Sequence, residues 1–349
     1  MQPQVTLLDK AFCLEFHTTG NLADSAAGSW LQDRIGTDGF VVQERIIVPQ
    51  PLVDRSNILS GHAIAPNRCN KPLILVGGSE LQTQRALVVA KPTSTGTCLR
   101  KHDGSITVDA DGIHLFFGAP ILSPDSSTRR GLTSSFDDLR SQLHAHNMQA
   151  SDIARIWLFM DDILSGYPDL NFARAQFFDD WFDPRRHLIP ASTGIEGHHI
   201  ERTPLSLECW ASSGNRINIQ REPSPLQNEP VEYDKLFSRA LSVQFADQKA
   251  LFVSGTASID RNGVSIHIGD FDQQLAFTLE VIAAILKQAG GNFANVAQAI
   301  VYLKRSEDLP NCLDLLDAAA FPRERTLFQL DTNICREELL CEIEVTAVI

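Results

Sequence analysis

Ile153-Ala-Arg-Ile-Trp-Leu-Phe-Met160 and Val296-Ala-Gln-Ala-Ile-Val-Tyr-Leu303 can be laid on one another position by position, with Ile153 on Val296 and Phe159 on Tyr302. Both are short apolar runs rich in β-branched and aromatic residues, the pattern of buried strands. Each opens into an acidic turn, Asp161-Asp162 or Glu307-Asp308. Behind the turns the spacing predicts helices over 171–182 and 311–320. A polar loop and a last strand follow each helix: Pro204-Leu-Ser-Leu-Glu-Cys-Trp210 and Glu338-Leu-Leu-Cys-Glu-Ile-Glu344.

The match also extends upstream. Leu115-Phe-Phe-Gly-Ala-Pro-Ile121 parallels Phe252-Val-Ser-Gly-Thr-Ala-Ser258, each an apolar strand ending at a glycine, Gly118 or Gly255. In the second copy Leu279, Ile282, Ala283, Leu286 and Ala289 recur at helical spacing until Gly290-Gly291 stop the helix. In the first copy Phe136, Leu139 and Leu143 do so more weakly. The order β(β)αβαβ therefore occurs twice. It predicts an α+β fold of two fused modules, mixed sheets with helices packed on one face. The expected division is an N-terminal domain over 1–212, a proline-bearing connection over 213–235, and a C-terminal module over 236–349. The N-terminal domain begins β-rich, with Val41–Val48, Leu73–Val76 and Ala86–Ala90 cut by Pro and Gly, and its module starts near residue 110.

The 349 residues suit two domains or two related halves, and 43% hydrophobic with 21% charged residues suit a globular core. No apolar run is long enough to span a bilayer, and the first residues lack the basic start and apolar stretch of a signal peptide. A net charge of −13 argues against nucleic acid or an anionic membrane as partner. A small anionic substrate stays compatible if its site supplies its own arginines. The seven cysteines are odd in number and none forms a CxxC pair, which reads as reduced thiols in a cytoplasmic protein. His198 and His199 are adjacent, so on a strand they point apart and suit chelation poorly. There is no zinc spacing, P-loop, dinucleotide fingerprint or HExxH, so the expected chemistry uses no metal and no cofactor.

In the last strand Glu342 and Glu344 alternate with Cys341, Ile343 and Val345. This is either a solvent face carrying two glutamates or a carboxylic acid at the base of a cleft. Burial would raise the pKa of such an acid so that it can donate a proton. Cys335 has no histidine nearby to activate it and is either a small buried hydrophobe or a neutral part of a site. Arg336 is either exposed or a bidentate carboxylate clamp. Pro190-Ala-Ser-Thr-Gly-Ile-Glu-Gly197 reads as a turn, or as a loop whose backbone N–H groups approach a ligand at Ser192, Thr193 and Gly194. No GxSxG elbow accompanies these hydroxyls. Arg174 on the preceding helix and Arg202 past the loop either face solvent or hold a ligand.

Leu251–Ala257, the helix Thr278–Gly290, Val301–Lys304 and Glu342-Ile-Glu344 together resemble the RidA (YjgF-like) family, whose chorismate-mutase-like modules form trimers with clefts between subunits. From residue 110 onward the chain resembles more closely the chorismatases, or 3-hydroxybenzoate synthases. That likeness rests on Arg155–Phe159, Asn171–Phe178, Pro190–Ile195, Ser254–Ser258 and Ile334–Glu344. The resemblance implies that Glu342 is a general acid protonating the enolpyruvyl group of chorismate, and that Cys335 selects the product. A second selecting position falls at Gly255 to Ala257. Cysteine at 335 resembles the hydroxybenzoate-forming branches and Ala257 the hydrolase or the mixed-product type, so the two together imply pyruvate with 3- and 4-hydroxybenzoate. Arg174, Arg202, Arg336 and Ser192–Gly194 would hold the substrate, as a monomer or homo-trimer. Leu158 departs from the polar residue of many chorismatases and is expected to alter substrate contacts. Three alternatives stand beside this reading: a chorismate hydrolase, a RidA-like imine deaminase using Glu342 to activate water, and a ligand-binding protein without catalysis.

Overall fold

The structure is a computed structural model describing residues 5–19, 32–49, 72–78, 82–123, 129–179 and 188–349. Cys69 and the predicted helix end at Phe182 lie outside the described residues.

The first sheet contains β1 (Val5–Leu8), β2 (Phe12–Thr19), β3 (Phe40–Val48), β4 (Leu73–Val76) and β5 (Gln84–Pro92), in the spatial order β1-β2-β5-β3-β4. The second contains β6 (Cys98–His102), β7 (Ser105–Ala110), β8 (Ile113–Phe117), β9 (Ile121–Ser123), β10 (Ile153–Met160), β11 (Ala191–Glu196) and β13 (Leu205–Ser213). Its path is β6-β7-β8-β13-β10-β11, with β9 beside β13, while β12 (His198–His199) crosses over to pair with β4. The third sheet orders β14 (Asn218–Arg221), β15 (Ala240–Gln244), β16 (Lys249–Thr256), β17 (Val296–Leu303), β18 (Thr326–Gln329) and β19 (Cys341–Val348) as β14-β15-β16-β19-β17-β18.

The second and third sheets are the two expected modules. Each has two long helices, α1 (Arg129–Ala145) and α2 (Ile163–Asp179), or α3 (Phe271–Gln288) and α4 (Leu309–Ala318). The first sheet extends the repeat to a third copy. In every sheet the last strand inserts next to the middle strand, and the middle strand pairs in parallel with the strand on its other side: β3 with β4, β10 with β11, β17 with β18. The middle strands share one irregularity as well. The register slips between Val41 and Gln43, between Ile153 and Arg155, and between Val296 and Gln298. A bulge kept at one place in three sheets fixes their alignment residue by residue.

Three local expectations are corrected. The stretch 190–197 is not a loop: Ala191–Glu196 is edge strand β11, because its side chains are buried and Arg155–Met160 offers a free parallel partner. Part of the expected connection, Asn218–Arg221, pairs with β15 and begins the third sheet. The helix expected from Asn171 starts at Ile163, since Gly166 and Pro168, breakers in a sequence, sit within its first two turns.

Each helix pair packs on the outer face of its sheet. α3 buries Leu275, Leu279, Ile282 and Leu286 against Val253, Val301 and Ile343. Asp270 caps it, accepting from the Gln273 N–H at 3.0 Å, and Gly290 ends it at φ +92°, where a side chain would be strained. The inner faces share one core, in which Trp210 meets Phe117, Trp157 and Phe252 edge-on at centroid distances of 4.8, 6.0 and 5.4 Å.

The sheets also join head to tail through polar side chains. Arg45 of the first sheet donates to Glu208 of the second at 2.9 Å. Arg155 and Trp157 of the second donate to Glu344 of the third, each at 2.9 Å. Gln298 of the third donates to the carbonyls of His17 and Leu87 in the first, at 3.1 and 3.0 Å. This closes a ring of heterologous contacts, the pattern of a cyclic trimer written into one chain.

Candidate active site

The shared bulge shows what stands at each junction. Glu342 pairs with Tyr302, and its counterparts are Ser206, paired with Phe159, and Gln84, paired with Ile47. Glu208 therefore corresponds to Glu344 and not to Glu342. Gln84 closes its own junction by donating to the Phe328 carbonyl and accepting from the Phe328 N–H, both at 2.9 Å. Among these three positions only the junction of the second and third sheets carries an acid.

That junction is held by side chain to backbone bonds. The Ser192 N–H donates to Ser254 Oγ at 2.8 Å, and the Gly255 N–H donates to Thr193 Oγ1 at 3.0 Å. Arg155 donates to the same Thr193 oxygen at 2.5 Å. Gly255 is needed for space: a Cβ there would lie 1.9 Å from Glu342 Oε1 and 3.3 Å from Thr193 Cγ2. Glu342 thus rests its carboxyl on bare backbone.

Glu342 is 5% exposed. Burial pushes its carboxyl up to about 8, with the Glu344 charge adding to the rise and Arg155 and Arg239 opposing it. At neutral pH it is mostly a protonated acid. Cys335 stands close by, with the Tyr167 hydroxyl hydrogen-bonded to its sulfur, and burial pushes its thiol up to about 12. Cys335 is therefore neutral and no nucleophile.

Two guanidinium groups line this cleft, Arg239 beside the acid and Arg174 beside Cys335 and Tyr167. Arg174, 3% exposed on α2, donates to Ser192 Oγ at 3.2 Å. Arg239, 2% exposed just ahead of β15, donates to the Asn228 carbonyl at 3.0 Å and to the Tyr233 hydroxyl. Both lie about 6 Å from the Phe237 ring, at 5.9 and 5.8 Å, and burial lowers the pKa of each. Among the described residues neither guanidinium is ion-paired with a carboxylate; Glu229 lies beside Arg239, accepts from its backbone N–H at 3.4 Å and is itself raised by burial. A buried cation without a counter-ion is costly and marks a place for an anion.

Of the residues expected from the sequence, the fold brings together Glu342, Cys335, Arg174, Ser192, Thr193, Gly194 and Gly255. Gly194 sits beside Arg174, whose Nη2 would be 3.8 Å from a Cβ there. Ala257 is buried one residue past β16, and its carbonyl accepts from Gln227. Arg336 borders the cleft, but its Nη1 is committed to the Gly263 carbonyl at 2.6 Å and to Ser265 Oγ. Arg202 is not part of the site: it is exposed in a left-handed turn at φ +58° after β12. Leu158 faces the helix side with Leu139 and Phe177, so its departure from the family pattern does not touch the cleft. Arg239, Tyr167, Tyr233 and Arg155 were missed. Only Arg155 left a signal, as a lone cation inside an apolar strand.

Among the described residues no group of histidine, cysteine or acidic side chains is arranged to hold a metal ion, and no helix is long and apolar enough to cross a membrane.

Comparison with known proteins agrees with this architecture. The endoribonuclease L-PSP family model matches residues 235–349, which hold β15 to β19 of the third sheet and its helices. A chorismatase of Streptomyces rapamycinicus is 32% identical over 219 residues, covering 55% of this chain and 63% of that protein. A 3-hydroxybenzoate synthase of Streptomyces hygroscopicus is 27% identical over 315 residues, covering 79% of this chain and 87% of that one. A crystal structure of a chorismatase superposes with a TM-score of 0.70 at 19% identity, over 98% of this chain and 99% of that one, which speaks for the fold. The chain is thus a homologue of chorismatases and 3-hydroxybenzoate synthases, with a RidA-like domain over residues 235–349.

Proposed function

We propose that the chain converts chorismate to pyruvate and a hydroxybenzoate, 3-hydroxybenzoate with some 4-hydroxybenzoate, with Glu342 as general acid. One observation carries this reading: a protonated carboxyl shares a cleft with two buried guanidinium groups that, among the described residues, form no ion pair with a carboxylate. Chorismate is a dicarboxylate with an enol ether, and its chemistry requires those groups. Arg174 and Arg239 hold its carboxylates. Glu342 delivers its proton to the terminal methylene of the enol ether, leaving an oxocarbenium ion. Addition of water collapses that ion to pyruvate and the ring dihydrodiol, and loss of one water from that ring gives the aromatic acid. Addition of the ring hydroxyl instead closes a cyclic ketal, and loss of a ring proton with cleavage of a ring C–O bond opens it to pyruvate and hydroxybenzoate, so neither route consumes net water. Stopping before the loss of water would leave the dihydroxycyclohexadiene carboxylate of a hydrolase. In this reading Cys335, neutral beside Tyr167, chooses between these ends.

Incubating the purified protein with chorismate and following pyruvate and ring products tests the reading. Pyruvate and hydroxybenzoate should rise together. Absence of pyruvate would remove chorismate as substrate, and pyruvate without aromatic product would make the protein a hydrolase. Cys335→Ala should move the ring products towards the dihydrodiol acid while pyruvate release changes by less than about tenfold. An unchanged product ratio would end the selector role. Gly255→Ala should lower turnover by about 100-fold, because the new methyl displaces the acid by an ångström or more. Its thermal midpoint should stay near wild type, since the colliding atom is the end of a flexible side chain. Retained turnover would mean that the carboxyl position seen here is not the reacting one.

A further inference from the structure

Glu342 and Glu344 sit on the same face of β19, about 7 Å apart along the strand. Two carboxyls so placed in a dry site resist ionising together, and the one with better donors keeps the charge. The donors are divided unequally. Glu344 accepts from Arg155 at 2.9 Å, from Trp157 Nε1 at 2.9 Å and from Arg45 at 3.4 Å. Glu342 has no hydrogen-bond partner among the described residues, and its oxygens are not sealed from the cleft. Glu344 is also a junction in its own right, since Arg155 bridges it to Thr193 Oγ1, which fixes the Gly255 backbone under the Glu342 carboxyl.

We propose that Glu344 is a positioning residue that keeps Glu342 in its acid form, held as an anion by Arg155, Trp157 and Arg45. This rests on the reading of Glu342 as general acid and adds what sets its protonation. Burial gives the larger part of the rise in Glu342, and Glu344 is the charged neighbour that adds to it; the other groups facing Glu342 do not add to it. Arg155 and Arg239 act in the opposite sense. Tyr302 on β17, Tyr167 on α2 and Cys335 ahead of β19 are all raised by burial and are neutral at pH 7. Glu344 is the one anion in this set. The cleft thus divides two carboxyls between two tasks, one charged and structural, the other neutral and reactive.

The test is Glu344→Gln in the full chain, which keeps the side-chain shape and one acceptor oxygen. It removes the like charge and frees Arg155, and both changes favour ionised Glu342. The alkaline limb of kcat/KM with chorismate should move down by about one pH unit or more, so that activity falls about tenfold more than wild type above pH 8 yet approaches wild type near pH 5. Infrared titration of the protonated carboxyl band without substrate reads Glu342 directly, the band being assigned by its loss in Glu342→Gln. A band midpoint that moves down with the kinetic limb supports the proposal. An unmoved midpoint, with the rate reduced equally at every pH, overturns it. A midpoint that moves while the kinetic limb does not would support the role of Glu344 and sink the general-acid reading of Glu342. Should Glu344→Gln fail to fold, the wild-type protein still decides: a protonated carboxyl at pH 7 that Glu342→Gln lacks is required, and its absence overturns the proposal.

Discussion

Glu342→Gln should lower pyruvate release from chorismate by about 10³-fold or more at pH 7, the scale of a general acid that no neighbouring group can replace. The amide has the shape of the carboxyl and no proton acidic enough to reach a vinyl carbon. Tyr167, Tyr302 and Cys335 do not substitute, because burial raises all three. On the proposed general-acid role the reactive form in the wild type is the protonated one, and Glu342 is pushed up to about 8. Activity should therefore hold through neutral pH and fall as pH rises through about 8. The same shift has a stability side. A carboxyl whose pKa is raised in the folded state helps folding fully below its unfolded value, near 4.5, and this help is lost as pH rises through about 8. Between those limits wild-type stability should decline by roughly 1–4 kcal/mol relative to the glutamine variant, which carries no such proton. Urea unfolding of both proteins at pH 5 and pH 8 measures this. A variant that is inactive yet equal or better in stability at pH 8 fits the assignment, whereas one retaining turnover removes it.

How much of this was legible in the sequence can be traced to particular residues. The second and third sheets were readable because their middle strands are continuous apolar runs, and because Gly290 gives an unmistakable helix stop. The first sheet was not readable as a repeat. Its strands show only as short β-branched runs, and the feature that aligns them, the slip between Val41 and Gln43, is a matter of register that no composition reveals. Glu342 could be singled out because it lies in an alternating strand, yet alternation is blind to which face is buried. Its depth comes from the second sheet packing over it, which is tertiary information. Ser192 and Thr193 read as a loop for a related reason. Small polar residues belong in turns unless a partner buries them, and here β10 on one side and Gly255 on the other do so. Arg239 was invisible because it stands at the end of a proline-rich connection, where an arginine normally faces solvent. Arg202, its apparent equal in the sequence, does face solvent.

Arg174→Met should reduce kcat/KM for chorismate by about 10²–10³-fold, mostly through KM, while the protein becomes no less stable and gains up to about 1–2 kcal/mol. The two signs come from one fact. In the substrate-free protein Arg174 is 3% exposed and bonded to a single hydroxyl, Ser192 Oγ. Burial alone lowers its pKa, and the neighbours that oppose this, Tyr167 and Cys335, are not carboxylates. The fold therefore keeps a charge that it does not balance, and a methionine of similar length would relieve that cost. A carboxylate arriving from solution supplies the missing counter-ion and makes charge-assisted bonds in a place that water has already left. Arg45 behaves in the opposite way: it is paired with Glu208 at 2.9 Å, so Arg45→Met should be destabilising by about 3–5 kcal/mol, leaving the buried Glu208 carboxylate without a counter-ion and with Gln43 as its remaining side-chain donor. Chemical denaturation and steady-state kinetics on the two variants separate the roles. Loss of stability in Arg174→Met, or an unchanged KM, would mean that its guanidinium belongs to the scaffold and that the substrate carboxylates are held elsewhere. The opposite pattern would identify Arg174 as an anion receptor whose cost the fold carries until substrate binds.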